Sequence, residues 1–177
     1  MNKKIRIGGI IAALIVSAVI LTSPSNPPPI PEPILNNAEN KFVEILAINL
    51  EKPWSIDFAD DRIFISEKVG TIRVIDSEKL LDEPLVTLRT ADVFDGGLLG
   101  IALHPNFVEN NFLYAYYTYS EDGELWNKVI QIKESNNKII NATTILDKIP
   151  GSSFSNGGII KFGPDSKLYI GTGSVSD

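Results

Sequence analysis

The sequence predicts an all-β protein that forms part of a β-propeller. From residue 41 onward, short runs rich in Ile, Val, Phe and Tyr are separated by Gly, Asp, Asn and Pro, a pattern typical of strands joined by turns. A strand–turn–strand segment also recurs three times, with Phe58, Leu103 and Phe162 at equivalent positions 45 and 59 residues apart. Repeats of about 45 residues with four strands each indicate propeller blades. No segment of the body has a sustained helical period, so we expect at most one helical turn, near 77–82.

The N-terminal segment 1–23 predicts a signal peptide or a membrane anchor. Lys3, Lys4 and Arg6 precede an apolar run from Ile7 to Leu21, which has the length of a signal-peptide core. The run is short for a spanning helix, which needs roughly 17–25 residues. Because no small-x-small cleavage site follows it, we favour an uncleaved apolar helix that acts as an anchor. Either alternative predicts export, with the protein anchored at the extracellular face of the membrane or secreted.

Residues 24–40 predict a linker. Six of the eleven prolines lie between Pro24 and Pro33, and such a run favours an extended polyproline conformation without backbone donors for a sheet. We therefore expect a semi-rigid spacer, with the globular domain beginning near Lys41.

Residues 41–177 predict about two and a half to three four-stranded blades. A closed propeller needs roughly 4–8 blades, so we expect this domain to be the N-terminal part of a propeller, as a fragment or within an assembly. The clearest strand predictions are 62–66, 71–75, 113–118 and 167–170.

Composition excludes several function classes. The chain contains no Cys and one His, which rules out disulfides, thiolate chemistry and a multi-histidine metal centre. Its net charge is −6. Since the first 23 residues carry three basic residues and no acidic residue, the net charge of the remaining residues is −9. A domain with this charge is poorly suited to bind a phosphate backbone. We therefore expect no nucleic-acid partner.

Four ordered motifs resemble the pyrroloquinoline-quinone (PQQ)-dependent glucose/sorbosone dehydrogenase family. The most specific is Asp95-Gly-Gly-Leu-Leu-Gly-Ile-Ala-Leu-His-Pro-Asn-Phe107. The others are Leu50–Phe58, Gly70–Val74, and Asn156–Asp165 continued by Lys167–Gly173. The resemblance implies a six-bladed β-propeller of the soluble aldose sugar dehydrogenase type, of which this chain covers the N-terminal part.

The same resemblance implies an oxidoreductase that acts on a sugar and passes electrons to an acceptor. In the family, a histidine takes the proton of the anomeric hydroxyl while hydride passes to PQQ; calcium is the second implied cofactor. The histidine position is Ser155 here, and Ser174 stands where many members have Asp. The family's cofactor and calcium ligands come largely from later blades, so the resemblance assigns neither a metal ligand nor a cofactor ligand to this chain. The alternative is a catalytically inactive cell-surface propeller that binds a saccharide or a protein.

Three further residues are candidates on the family pattern. Asp95 occupies a position near the sugar and could accept a hydrogen bond from a hydroxyl, or it could be a solvent-facing turn residue. Asn156 could line the sugar pocket, or its amide could satisfy turn backbone. His104, the only histidine, is expected to satisfy local backbone. Aromatic side chains could stack on a sugar, although blade packing is the better interpretation; these are Trp54, Trp126 and the tyrosines between 114 and 119.

Overall fold

The computed structural model describes residues 43–174. The predicted leader 1–23 and linker 24–40 lie outside the described residues. Between 43 and 174, no helix is long and apolar enough to cross a membrane. The described chain is almost entirely β, and its strands are β1 (Pro53–Ala59), β2 (Arg62–Glu67), β3 (Thr71–Asp76), β4 (Lys79–Leu80), β5 (Val86–Thr87), β6 (Leu98–Leu103), β7 (Phe112–Glu121), β8 (Glu124–Ser135), β9 (Lys138–Pro150), β10 (Gly157–Phe162) and β11 (Leu168–Thr172), with one helical turn, α1 (Phe107–Asn110).

The strands form three antiparallel sheets, which we call blades 1, 2 and 3. Blade 1 has the order β1-β2-β3-β4, with β5 also paired to β3; blade 2 is β6-β7-β8-β9; blade 3 is the hairpin β10-β11. The three repeats seen in the sequence are the hairpins β1–β2, β6–β7 and β10–β11. Two blades and half of a third agree with the predicted number.

Strand β6 lies between the first strands of the other two blades, and all six of its residues are buried. Leu98, Ile101 and Leu103 join the core between blades 1 and 2. Leu99 and Ala102 join a second core against blade 3. This double burial explains why the Leu-Leu-Gly-Ile-Ala-Leu run lacks polar residues, since both faces of the strand are covered.

The predicted helical turn near 77–82 is wrong. Ser77 and Glu78 both have positive φ, 50° and 64°, and they form a two-residue turn that leads into β4. Two consecutive positive φ values are typical of a tight hairpin turn, which a helix cannot contain. The helical turn instead occurs at α1, where Phe107 is buried and its ring packs edge-on against Phe64 at 5.2 Å.

Strand direction brings the chain's connections to two opposite ends of the sheets. Strands β1 and β6 run in the same direction, since Ser55 accepts from the Ile101 N–H and Asp57 from the Leu103 N–H. Strand β10 follows β6 in the same way, from Gly158 beside Gly100 to Phe162 against His104. The three strands therefore begin at one end, and their antiparallel hairpin partners return there. We call this the upper end. It carries the loop 88–97 before β6 and the loop 151–156 before β10. The opposite end carries the turn 104–111 between β6 and β7.

Candidate functional site

Asp95 and Ser155 lie together at the upper end. They are 60 residues apart in the chain, yet the Ser155 backbone N–H donates to Asp95 Oδ2 at 3.2 Å. The Asp95 N–H in turn donates to the Ser153 carbonyl at 2.9 Å. These two bonds join loop 88–97 to loop 151–156. Asp95 is half-buried, and within residues 43–174 no hydrogen bond reaches its Oδ1. Ser155 is exposed and has a positive φ of 58°.

Asn156 is buried beneath this pair. Its Oδ1 accepts from the Ser152 N–H at 3.0 Å and from Asn127 Nδ2 at 3.2 Å. Its Nδ2 donates to the Ser152 carbonyl at 2.8 Å. In this structure the Asn156 amide therefore shapes loop 151–156, and its direct contact with a sugar stays a prediction.

A buried polar network supports the loop from the side of blade 2, and sequence reasoning did not identify it. Tyr116 donates to the Asn156 carbonyl at 2.9 Å. Thr118 Oγ1 donates to Asn127 Oδ1 at 2.6 Å, and Asn127 Nδ2 also donates to the Pro150 carbonyl at 3.0 Å. Burial raises the pKa of Tyr116 to about 12. Fully paired buried polar groups fix one geometry, so the network holds Ser155 and Asn156 in place.

His104 lies at the opposite end of blade 2. Its Nδ1 accepts from the Asn106 N–H at 3.0 Å and lies 2.8 Å from Asn110 Nδ2. The ring also packs edge-on against Phe162, with centroids 5.3 Å apart. Within the described chain, no histidine therefore lies near Asp95 and Ser155. As expected from the sequence, His104 accepts a hydrogen bond from the backbone of its own turn.

The upper end also carries exposed aromatic rings that sequence reasoning missed. Phe94 and Phe154 directly precede Asp95 and Ser155, and their ring centroids are 5.0 Å apart. Lys68 Nζ donates to the Phe94 carbonyl at 2.9 Å and lies 4.8 Å from the Trp54 ring centroid. No sequence pattern indicates that the two Phe residues are exposed, because a hydrophobic residue beside a turn is usually predicted to lie in the core. A cavity of about 380 Å³ adjoins Phe94, lined by Lys52, Lys68, Val69, Ala91, Asp92, Val93, Phe94 and Gly96.

The described residues do not make up a complete site for PQQ or calcium. No group of three or more His, Cys, Asp or Glu between 43 and 174 could hold a metal ion. A quinone that carries carboxylates needs several converging cations. Lys52 and Lys68 are the cations that line the cavity beside Phe94, and Lys68 already donates to a backbone carbonyl and lies over Trp54. We therefore derive no step through either group from these residues.

Fold and site together define a class of protein. A five-stranded blade, a four-stranded blade, the first hairpin of a third, and two polar loops joined at the upper end define a β-propeller with a candidate ligand site where the inner strands begin. The family model for glucose/sorbosone dehydrogenases matches residues 50–177, so the chain belongs to the glucose/sorbosone dehydrogenase family.

Individual relatives support this membership. The chain is 30% identical over 153 residues to quinoprotein glucose dehydrogenase B of Acinetobacter calcoaceticus, covering 77% of this chain and 31% of that protein. It is 29% identical over 151 residues to the Hedgehog-interacting protein of Mus musculus, covering 72% and 21%. The PQQ-bound aldose sugar dehydrogenase of Streptomyces coelicolor superposes with a TM-score of 0.66 at 30% identity, covering 76% of this chain and 42% of that one. The chain thus spans about a third or less of the length of these two curated relatives.

Proposed function

We propose that this chain is the N-terminal part of a PQQ-dependent sugar dehydrogenase that oxidises the anomeric hydroxyl of an aldose. In that reaction the sugar would lose a proton from the hydroxyl and a hydride from the carbon, and PQQ, when bound, would supply the acceptor for that hydride. The observation that carries the proposal is the meeting of Asp95 with Ser155 at the upper end of a family propeller. Calcium and a separate electron acceptor complete the proposal.

Asp95 is the proposed sugar ligand. No hydrogen bond within the described chain reaches its Oδ1, while its Oδ2 accepts from the Ser155 N–H, so the carboxylate is oriented before a sugar arrives. A charge-assisted hydrogen bond to a hydroxyl contributes more than a neutral one. We assign Asn156 to the same subsite, where it acts through the position it gives loop 151–156. An Asp95→Ala protein should show a raised KM for the sugar.

Ser155 stands at the position of the family's base. A serine hydroxyl does not accept the substrate proton unless a second base activates it, and a well-placed general base contributes about 10²–10⁴-fold to rate. We therefore propose that this protein turns over slowly. Replacing Ser155 with His should raise kcat about a hundredfold, because the imidazole titrates near neutral pH.

The test is dye reduction by the full-length protein loaded with PQQ and calcium, measured against a panel of aldoses. Ser135→His is the matched control, since Ser135 is an exposed serine at the end of β8, outside loops 88–97 and 151–156, and this substitution should leave kcat unchanged. No activity in either the wild type or the Ser155→His protein, with quinone bound, would contradict the dehydrogenase proposal.

A second candidate is a catalytically silent propeller that binds a saccharide or a protein. Ser155 in place of the base favours it, and so does the similarity to a relative whose name describes binding to another protein. A full-length protein that binds no quinone would favour this candidate. Under either proposal we infer export through the 1–23 segment, with anchoring or cleavage distinguished by the mass of the secreted or membrane-bound product.

A further inference from the structure

Phe94 and Phe154 form an exposed aromatic pair at the upper end. Phe94 is 77% exposed and Phe154 is 56% exposed. Their ring centroids are 5.0 Å apart and their planes are tilted by 44°. A single exposed aromatic residue is ordinary, but a contiguous aromatic surface beside polar groups marks a place where something binds.

The backbone holds both rings in position. Lys68 Nζ donates to the Phe94 carbonyl at 2.9 Å, and the Phe154 N–H donates to Ser152 Oγ at 3.2 Å. The bond from the Asp95 N–H to the Ser153 carbonyl, at 2.9 Å, joins the two loops next to the rings. A surface that is ordered before binding loses less entropy when a ligand arrives. The pair is therefore prepared for a ligand.

The polar neighbours decide the chemistry of that ligand. The Asp95 carboxylate and the Ser155 hydroxyl follow the two rings directly, so an entirely apolar partner would bury a charge without compensation. A nucleic acid would bring phosphates to a chain of net charge −6, which is unfavourable. A sugar ring satisfies both parts of the site, because its C–H face is apolar and its hydroxyls donate to a carboxylate.

We propose that Phe94 and Phe154 form a stacking platform for the apolar face of a pyranose ring, while Asp95 accepts a hydrogen bond from one of its hydroxyls. The inference rests on the proposed function for the class of ligand, a sugar. It adds Phe94 and Phe154 as the residues that select among sugars by the shape of the pyranose ring. An axial hydroxyl interrupts the apolar face, so the platform favours pyranoses whose hydroxyls are all equatorial.

The experiment is calorimetric titration of the full-length protein with methyl β-D-glucopyranoside. This probe has the all-equatorial ring but no free anomeric hydroxyl, so it reports binding without oxidation. Phe94→Ala and Phe154→Ala should each raise Kd about tenfold, as expected for truncating an aromatic anchor. Phe154→Leu keeps apolar bulk without a ring face and should also weaken binding, whereas Phe154→Trp should retain it. Val108→Ala is the control, since Val108 is 63% exposed in α1 at the opposite end.

The outcomes separate this inference from the proposed function. A Kd that stays within about twofold of wild type in both alanine variants overturns the platform, even when the protein oxidises sugars. Failure of the wild type to bind the probe overturns it as well. Binding that depends on the two rings, when neither the wild type nor the Ser155→His protein reduces dye with any aldose while quinone is bound, supports the platform and removes the dehydrogenase proposal.

Discussion

Arg62 and the buried Glu134 form a partly buried ion pair between blades 1 and 2. Arg62 Nη2 lies 3.1 Å from Glu134 Oε1, and 2% of the Glu134 side chain is exposed. The guanidinium also lies over the rings of Phe64 and Phe107, at 5.1 and 5.3 Å. Removing one partner of such a pair leaves a charge in a poorly solvated place, which costs about 3–5 kcal/mol.

Arg62→Met should therefore lower the free energy of unfolding by about 3–5 kcal/mol, measured by urea denaturation. The matched control is Lys167→Met, which removes the exposed pair between Lys167 and Asp165 and should cost less than about 1 kcal/mol. Equal effects of the two substitutions would show that the partly buried pair does not stabilise the interface between the blades.

Because of Tyr116, the free energy of unfolding of the domain should decrease as the pH rises through the alkaline range. Burial raises its pKa from 10.0 to about 12, so the folded protein keeps the proton in a range where the unfolded chain releases it. The contribution is fully present below pH 10 and is lost as pH rises to 12, a loss of about 3 kcal/mol. Tyr116→Phe should flatten this decrease, and Tyr169→Phe, at an exposed ring, should not. The measurement is the free energy of unfolding from chemical denaturation at a series of pH values between 8 and 12. If this free energy falls equally with pH in the wild type and in Tyr116→Phe, the decrease does not come from Tyr116.

At the scale of the element, Gly100 allows β6 to approach β10. A Cβ built on Gly100 would lie 2.0 Å from the Gly158 carbonyl oxygen, which belongs to the backbone and has no rotamer to relax. Gly100→Ala should therefore destabilise the packing of blade 3 on blade 2 by about 1–3 kcal/mol. Gly171→Ala in β11 is the control, because its Cβ would make ordinary contacts, 3.5 Å from the Ile159 carbonyl oxygen. Thermal unfolding measures both, and a neutral Gly100→Ala would show that the two strands can separate without cost.

Local signals predicted the strands well. The predicted strands 62–66 and 71–75 match β2 and β3, because alternating β-branched residues and flanking turns determine hairpins locally. The helical turn was misplaced because Ser77 and Glu78 have left-handed backbone, which their residue types do not reveal. Contacts between residues far apart in the chain could not be predicted from local patterns either. Arg62 and Glu134 are 72 residues apart, and nothing in the sequence around either residue indicates that they pair.

The candidate site was predictable only through the family resemblance. Asp95, Ser155 and Asn156 carry no distinctive local pattern, and the resemblance alone placed them at one site. The resemblance could not give the supporting contacts, because Asn127 and Thr118 look like ordinary strand residues until β8 and β7 pair beneath the loop. Phe94 and Phe154 were missed for a related reason, since exposure is a property of the fold and not of the residue type.

At the scale of the whole molecule, the described domain ends in two partly apolar faces. In β1, Ser55 and Asp57 face blade 2, where Asp57 Oδ2 accepts from the Leu103 N–H at 2.7 Å. Alternation along the strand places Trp54, Ile56 and Phe58 on the other face, and each is more than half exposed. On blade 3, Ile160 packs against blade 2 while its neighbour Ile159 is 76% exposed. Exposed apolar sheet faces of this kind associate in water.

Residues 41–177 produced alone should therefore self-associate at micromolar concentration, and Phe58→Lys should weaken that association because it places a charge on the outer face of blade 1. Sedimentation velocity over a concentration series provides the measurement. Val108→Lys, at the exposed turn α1 away from both faces, is the control and should associate like the wild type. A monomeric wild-type domain would contradict the prediction, and a folded Phe58→Lys domain that associates as strongly as the wild type would show that the outer face of blade 1 does not mediate the association.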